Sequence, residues 1–362
     1  MAVLYDYLGR PIDKRRLRGE EAAPTVSGVR QVLSGHPAQN LNPQRLARLL
    51  LSAEQGDAEG YLEVAEEMEE KDLHYRSVLG TRKLQVGGLP VTVEAASDAA
   101  EDEKAADLVR DVLREGALDA AMQDILDAIG KGYSVCEVMW DTEGSAWYPF
   151  ELLWRDPRWF EFDRVNGTTL RLRGENGQPE DLAPAKYITH VHKSKSGLPI
   201  RGGLARPVAW YYLFKNFDIK SWVEFVQVFG FPLRLGRYGS DATAEDRQTL
   251  LRAVRNITKD AAAIIPQGMD ITFESTDVRG NVTVFEGLAT YIDRQISQLV
   301  LGQTGSPYTG QHLGTASAHA TVREDICRTD SAPLASTLNR DLVRPLVELN
   351  LGPRNRLPRP SP

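Results

Sequence analysis

The sequence predicts an α+β protein, mainly helical, with a small β-rich inserted subdomain and one long central helix. Three observations predict this. Residues 204–229 contain no glycine and one proline, Pro207, in the first turn where proline is tolerated. Along this run Leu204, Val208, Tyr211, Ile219, Trp222, Phe225, Val226 and Phe229 recur at helical spacing until Gly230 and Pro232 stop it. Residues 133–192 are rich in β-formers and aromatics, including Tyr148, Phe150, Trp154, Trp159, Phe160 and Phe162, and are punctuated by glycine. Shorter apolar periodicities of helical type lie on both sides of this stretch.

The long helix sets the organisation. Its 26 residues make a rod of roughly 39 Å. The part over 209–214 is apolar nearly all round, so it must be covered by its own domain or by neighbouring subunits. Trp210, Tyr211, Phe214, Trp222 and Phe225 are the candidate subunit-interface residues. Before the helix, 193–206 reads as a loop broken by Gly197, Pro199, Gly202 and Gly203. It carries Lys193, Lys195, Arg201 and Arg206 and no acidic residue, so it is either a solvated basic rim or a surface for an anionic partner.

The other elements follow in order. Residues 1–43 show little periodicity and a basic cluster at 14–18, which reads as an extended arm, disordered or ordered on a neighbouring subunit. Asn42-Pro43 opens a helix with Leu46, Leu49 and Leu50 on one face. A second helix is expected over 57–79, with Leu62, Ala65, Met68, Leu73 and Val78 inward and a solvated acidic face of Glu63, Glu66, Glu67, Glu69, Glu70 and Asp72. Residues 81–93 read as strand with a turn at Gly87-Gly88, then helices at 99–115 and 118–129 and a strand at 133–140. A strand pair is expected between 168–173 and 187–192 around the glycines of 174–177. After the long helix come a short strand at 233–235, a helix at 243–257, a hairpin of 261–266 with 269–275, and a helix at 283–301. Then follow a loop at 302–317, helix over 320–349 broken near Pro333 and Pro345, and an extended tail from 353 carrying Arg354, Arg356 and Arg359.

Composition narrows the function classes. Net charge is −7, without the global basic signature of a nucleic-acid binder, which excludes tight wrapping of DNA or RNA but not a polymer that slides past. Cys136 and Cys327 are the only cysteines, so there is no disulfide framework, and they read as reduced thiols of a cytoplasmic product. No window reaches 18 apolar residues and no signal-peptide pattern opens the chain, so no membrane partner is expected. His190 and His192 are two apart on an expected strand and share a face, which starts a metal site but does not complete one. They read as surface or interface histidines; a metal-dependent hydrolase built on them is the alternative. No G-x-S-x-G, H-E-x-x-H, C-x-x-C or phosphate-binding glycine pattern occurs. No catalytic, metal-ligating or cofactor-binding residue is assigned, and no cofactor is expected.

Three blocks carry a family resemblance. LLSAEQGDAEGYLEVAEEMEEKDLHYRSVLGTRKLQVGGLPVTVEAASD (50–98) resembles the N-terminal block of the portal proteins of Mu-like tailed phages and prophages. SKSGLPIRGGLARPVAWYYLFKNFDIKSWVEFVQVFGFPLRLGRY (194–238) resembles their central block. GQTGSPYTGQHLGTASAHATVREDI (302–326), followed by LASTLNRDLVRPLVELNLG (334–352), resembles their C-terminal block. The blocks occur in the family's order, and the resemblance runs from the start of the chain to about 352.

The resemblance implies the phage portal fold and a structural protein, not an enzyme. It implies a homo-oligomeric ring, usually of twelve subunits, at one capsid vertex of the virion, assembled in the host bacterial cytoplasm. Double-stranded DNA would pass through the ring without sequence specificity during packaging and ejection. The ring would sit in the major capsid protein shell and dock the terminase large subunit, then the head–tail adaptor. Another head or adaptor protein of the virion is the other structural reading. The implied division is an arm (1–43), a first wing part (44–146), a clip-like β-rich insertion (147–192) and a basic tunnel loop (193–206). The long helix (204–230), a second wing part (231–285) and a helical C-terminal region with a short Pro/Arg tail (286–362) follow. Lys193, Lys195, Arg201 and Arg206 would face the DNA. Family members often continue past this point, so a large C-terminal crown is not expected.

Overall fold

A computed structural model describes residues 4–32, 37–144, 146–175, 178–229, 233–256, 270–274, 278–303, 313–354 and 356–361. In chain order the elements are α1 (Lys14–Arg18), α2 (Pro43–Glu54), α3 (Glu59–Lys71), α4 (Leu73–Gly87), β1 (Thr92–Glu94), α5 (Ala100–Arg114), α6 (Ala117–Ile125) and α7 (Ala128–Lys131). Next come β2 (Tyr133–Glu143), β3 (Ala146–Arg155), β4 (Phe160–Phe162), β5 (Leu170–Arg173), β6 (Pro179–Asp181) and β7 (Tyr187–Val191). The rest are α8 (Ala205–Phe229), β8 (Leu233–Arg237), α9 (Ala244–Asn256), β9 (Asp270–Glu274), α10 (Val278–Leu301), α11 (Leu313–Leu338), α12 (Arg344–Leu351) and β10 (Arg359–Ser361). The fold is α+β and mainly helical, with small antiparallel sheets. The chain divides into two compact units: Met1–Leu213 with Asp293–Pro362, and Phe214–Ile292.

The main unit is built on the sheet β3-β2-β7. Tyr133 to Trp140 of β2 are all buried, as an apolar strand covered on both faces should be. The polar exceptions have partners. Ser134 Oγ donates to Ile125 O at 2.6 Å, and the Glu137 carboxylate accepts from Arg155 Nε at 2.8 Å. β7 pairs with β2, in the register Cys136↔Ile188, and not with the strand at 168–173 as expected from the glycine turn. The partners of β5 are β4 and β6. Local turn chemistry at 174–177 marks the β5–β6 connection, whereas the β7 pairing is a long-range choice made by its buried face. The two sheets meet through rings: Tyr133 against Phe162 at 5.0 Å and Phe160 against Tyr187 at 6.0 Å, both edge-on.

The arm is ordered on its own subunit. Leu17 is fully buried, the fully buried Lys186 donates from Nζ to Leu17 O at 2.9 Å, and Glu137 accepts from Glu21 N at 2.6 Å. Lys14 and Arg18 of the basic cluster lie over the Trp147 ring at 5.7 and 5.3 Å. These cation–π contacts hold the described part of the arm against β3.

The helix expected over 57–79 is two helices. Asp72 caps the second, its side chain accepting from His74 N and Tyr75 N at 3.0 Å. That second helix, α4, then runs through the segment expected as strand. Tyr75, Val78, Leu79, Arg82, Lys83 and Val86 are its buried residues, a 3.6-residue periodicity hidden by two buried cations. Only Thr92–Glu94 is extended, paired with Arg359–Ser361 of the tail.

The C-terminal region departs from expectation at the start of its helix and at Pro333, and breaks near Pro345 as expected. Helix begins at Leu313, inside the expected loop; 304–312 lie outside the described residues. α11 continues through Pro333, and the interruption is instead a π-helical turn at Asn339–Val343, just before Pro345 in the first turn of α12.

In the second unit, β8 and β9 pair antiparallel from Leu233↔Glu274 to Arg237↔Asp270. The expected hairpin partner of β9, 261–266, lies outside the described residues. Thr243 caps α9 in a reciprocal box: Asp246 N donates to Thr243 Oγ1 at 3.2 Å and Thr243 N to Asp246 Oδ2 at 3.0 Å. Trp222 stacks on Phe285 at 6.4 Å and Phe225 meets the same ring at 5.7 Å, joining α8 to α10.

Candidate functional site

The basic loop is clamped at both ends by the α7–β2 turn. His192 N donates to Gly132 O and Leu204 N to Ile129 O, each at 3.0 Å. Gly203 lies against that turn so closely that a Cβ would stand 2.4 Å from Gly132 N and 2.5 Å from Gly130 O. A side chain there would push the loop off its base. Ser194 Oγ closes the loop on itself, donating to Gly202 O at 2.6 Å. Its tip, 193–197, is exposed.

The four basic residues separate into two pairs. Lys193 and Lys195 are exposed at the tip, with no ion pair found for either among the described residues. Arg201 and Arg206 are turned back onto α2. Both pair with Glu54, Arg201 at 3.5 Å, and Arg206 also donates to Leu50 O at 3.1 Å. Their charge is already partnered within the subunit.

α8 crosses from the first unit to the second at residues 213/214. In the first unit Val208, Ala209, Tyr212 and Leu213 are buried and Trp210 is half-buried, while Tyr211 is exposed. In the second unit Phe214, Phe217, Ile219, Val223 and Val226 are exposed. Ile219, Val223 and Val226 stand at i, i+4 and i+7 on one helical stripe. α10 repeats the spacing with exposed Val284, Leu288 and Tyr291. Of the candidate interface residues, Tyr211 and Phe214 are thus presented to solvent, while Trp222 and Phe225 pack on Phe285.

His190 and His192 are not surface groups. Both are buried against α11, His190 on β7 and His192 just after its end. His190 Nδ1 lies 3.0 Å from Thr337 Oγ1, and His192 Nδ1 lies 3.7 Å from Asp330 Oδ1. Asp330 is held by a bidentate pair from Arg82, at 2.7 and 2.9 Å. Burial pushes the His190 pKa down to about 4, aided by His192 and Arg340 and opposed by Asp330. Burial likewise brings His192 down to about 4, against the pull of Asp330. Period-two spacing identified their common face; it carried no information about whether that face was covered.

The acidic face of α3 is only partly solvated. Glu67 is buried, and Glu69 joins a buried network. At its centre Asp127 accepts from Lys83 Nζ at 2.8 Å and from Lys131 Nζ at 2.6 Å. Lys83 also pairs with Glu69 at 3.2 Å, and Lys131 with Glu66. Burial alone would raise the Asp127 pKa, but Lys131 and Lys83 outweigh it and hold the carboxyl below its ordinary range. The network ties α3, α4 and the α7–β2 turn, the same turn that anchors the basic loop. Among the described residues, no helix is long and apolar enough to cross a membrane, and no group of three or more His, Cys, Asp or Glu could hold a metal ion.

The chain matches the family model described as portal protein of Mu bacteriophage over residues 62–361. It is 36% identical over 369 residues to the Mu-like prophage FluMu protein gp29 of Haemophilus influenzae, covering 98% of this chain and 70% of that protein. It is 33% identical over 368 residues to the portal protein of Escherichia phage Mu, covering 99% of this chain and 71% of that protein. Its fold is similar to a chain in the neck of a native gene transfer agent particle computed with C12 symmetry. That likeness has a TM-score of 0.50 at 14% identity, over 89% of this chain and 85% of that one. The chain belongs to the family of portal proteins of Mu bacteriophage, structural proteins of the virion and not enzymes.

Proposed function

We propose that copies of this chain close into a ring of twelve at one capsid vertex and that double-stranded DNA enters and leaves the head through it. The observation that carries this reading is family membership along nearly the whole chain, supported by the C12 neck in which a chain of similar fold is found. The paired apolar stripes Ile219/Val223/Val226 and Val284/Leu288/Tyr291 are what an interlocking ring of helix pairs requires. With Tyr211 and Phe214 they form the subunit interface. The ring assembles in the host cytoplasm, is held by the major capsid protein, and docks the terminase large subunit and later the head–tail adaptor.

The second unit, Phe214–Ile292, serves as stem and clip. It is a separate compact unit that α8 enters and α10 leaves. The segment 147–192, by contrast, is built into the main sheet through β3 and β7. Lys193 and Lys195 touch the passing DNA, and their support is exposure at the tip of a clamped loop. Arg201 and Arg206 hold that loop to Glu54 instead.

Phosphate contacts are sequence-independent, and each contributes about −0.9 to the slope of log affinity against log salt. The Lys193→Ala/Lys195→Ala variant should therefore assemble normally but retain less DNA in filled heads, most clearly at low salt. A variant that packages and retains DNA like the parent at every salt concentration removes this loop from the DNA path.

A further inference from the structure

Arg340, Arg344, Arg356 and Arg359 line one cleft of about 590 Å³ in the main unit, and no carboxylate is among its described lining residues. The fold assembles it from two sources. Arg340 and Arg344 come from the π-helical turn and the start of α12. Arg356 and Arg359 come from the tail, which is fastened on either side of Arg356. Arg354 Nη1 donates to Glu101 O at 2.9 Å before it, and β10 pairs with β1 after it. Asp341 neutralises Arg340 at 2.6 Å, and Glu348 lies 3.7 Å from Arg344. Arg356 and Arg359 are exposed, with no ion pair found among the described residues. One wall is the exposed ring of Tyr7, with the Arg340 guanidinium 5.3 Å from its centroid. Arginine and tyrosine together at an exposed cleft are the composition of an interface anchor.

We infer that in the ring this cleft receives the α3 carboxylates Glu66 and Glu70 of the neighbouring copy. The inference rests on the ring reading above. Charge complementarity selects the occupant: in a chain of net charge −7, Glu66 and Glu70 are exposed at the rim of a second cleft that also holds Glu63 and Asp156. This acidic cleft has its own aromatic, Trp154, exposed on β3. Lys131 and Arg158 line its floor and pair with Glu66 and Glu63, leaving Glu70 as the freest charge. The two clefts also lie toward opposite edges of the main sheet. Trp154 is on edge strand β3, and Arg340 donates to Thr189 O at 2.8 Å on edge strand β7. Trp154 and Ile188 flank Cys136 in one row across the three strands. Unlike patches on opposite edges make a head-to-tail contact, the kind that closes into a ring when the rotation permits.

The test uses two charge variants of the full chain: Arg356→Glu/Arg359→Glu, and Glu66→Gln/Glu70→Arg. Glutamine is chosen at 66 because Lys131 keeps Asp127 as its partner. All four residues are exposed, so each variant should keep the parent's melting temperature. Each alone should weaken subunit association, read as lost rings in size exclusion with light scattering, by roughly tenfold or more at low salt. An equimolar mixture should restore rings, because alternating subunits place each reversed cleft opposite a reversed partner and each native cleft opposite a native one. Rings formed by the arginine variant alone at parental yield would overturn the inference, as would a mixture of two normally melting variants that fails to assemble. Intact rings that lose DNA binding would make the cleft a phosphate site instead. A parent that forms no rings would sink the ring reading itself, a separate failure.

Discussion

The folded state should lose several kcal/mol of stability as the pH falls from about 6.5 to about 4. His190 and His192 have folded pKa values of about 4, against an ordinary imidazole value near 6.5. Between those values the unfolded chain binds more protons than the folded one, so stability is fully present above about 6.5 and drains away toward 4. At about 1.4 kcal/mol per pH unit, each histidine contributes about 3 kcal/mol over this window. Asp341 opposes the trend, since burial raises its pKa despite Arg340, and Glu69, raised by burial and by Asp127, does the same. The net loss is therefore smaller than the histidine sum. Urea unfolding at pH 7, 5.5 and 4.5 measures it. The His190→Gln/His192→Gln variant should give a flatter profile than the parent, whatever its stability at pH 7. Parallel profiles would show that the histidines do not titrate in this window.

Asp127→Ala should cost about 3–5 kcal/mol. The substitution leaves Lys83 and Lys131, both buried, without the carboxylate that lies between them. Removing one partner of a buried ion cluster strands charge in a low-dielectric interior, which costs far more than the cluster contributes over an apolar replacement. At 2–4 °C per kcal/mol for a unit of this size, the melting temperature should fall by about 10 °C or more. Glu70→Ala, at an exposed position of α3, should change it by less than about 2 °C. An Asp127→Ala protein that melts with the parent would mean the network is solvated in solution.

What was legible in the sequence was whatever a local period or a local stop signal encodes. Ala205–Phe229 is nearly the expected long helix, because proline at its start and Gly230 and Pro232 after its end are local signals. α4 was misread as strand because Arg82 and Lys83 count as solvent-facing until their partners Asp330 and Asp127 are known, and these lie 248 and 44 residues away. The β7 pairing and the burial of His190 and His192 fail for the same reason: both depend on α11 and β2 arriving from elsewhere. The basic loop was found by composition, but composition could not separate Lys193 and Lys195 from Arg201 and Arg206, which Glu54 of α2 holds. The arginine cleft was visible only in part, as Arg356 and Arg359 in the tail. Its other half, Arg340 and Arg344, reads as ordinary helix surface until β10 pairs with β1 and brings the tail alongside.

Copies of this chain should close into a ring whose helix pairs interlock through the stripes on α8 and α10. Electron microscopy of the purified protein tests it most directly, with class averages compared between the parent and a Val223→Asp/Leu288→Asp variant. Both residues are exposed within the subunit, so the variant's fold should survive. Parent particles should be of several hundred kilodaltons with twelvefold symmetry and a central hole, and the variant should give single subunits. Parent particles without a hole, or variant rings indistinguishable from those of the parent, would contradict it.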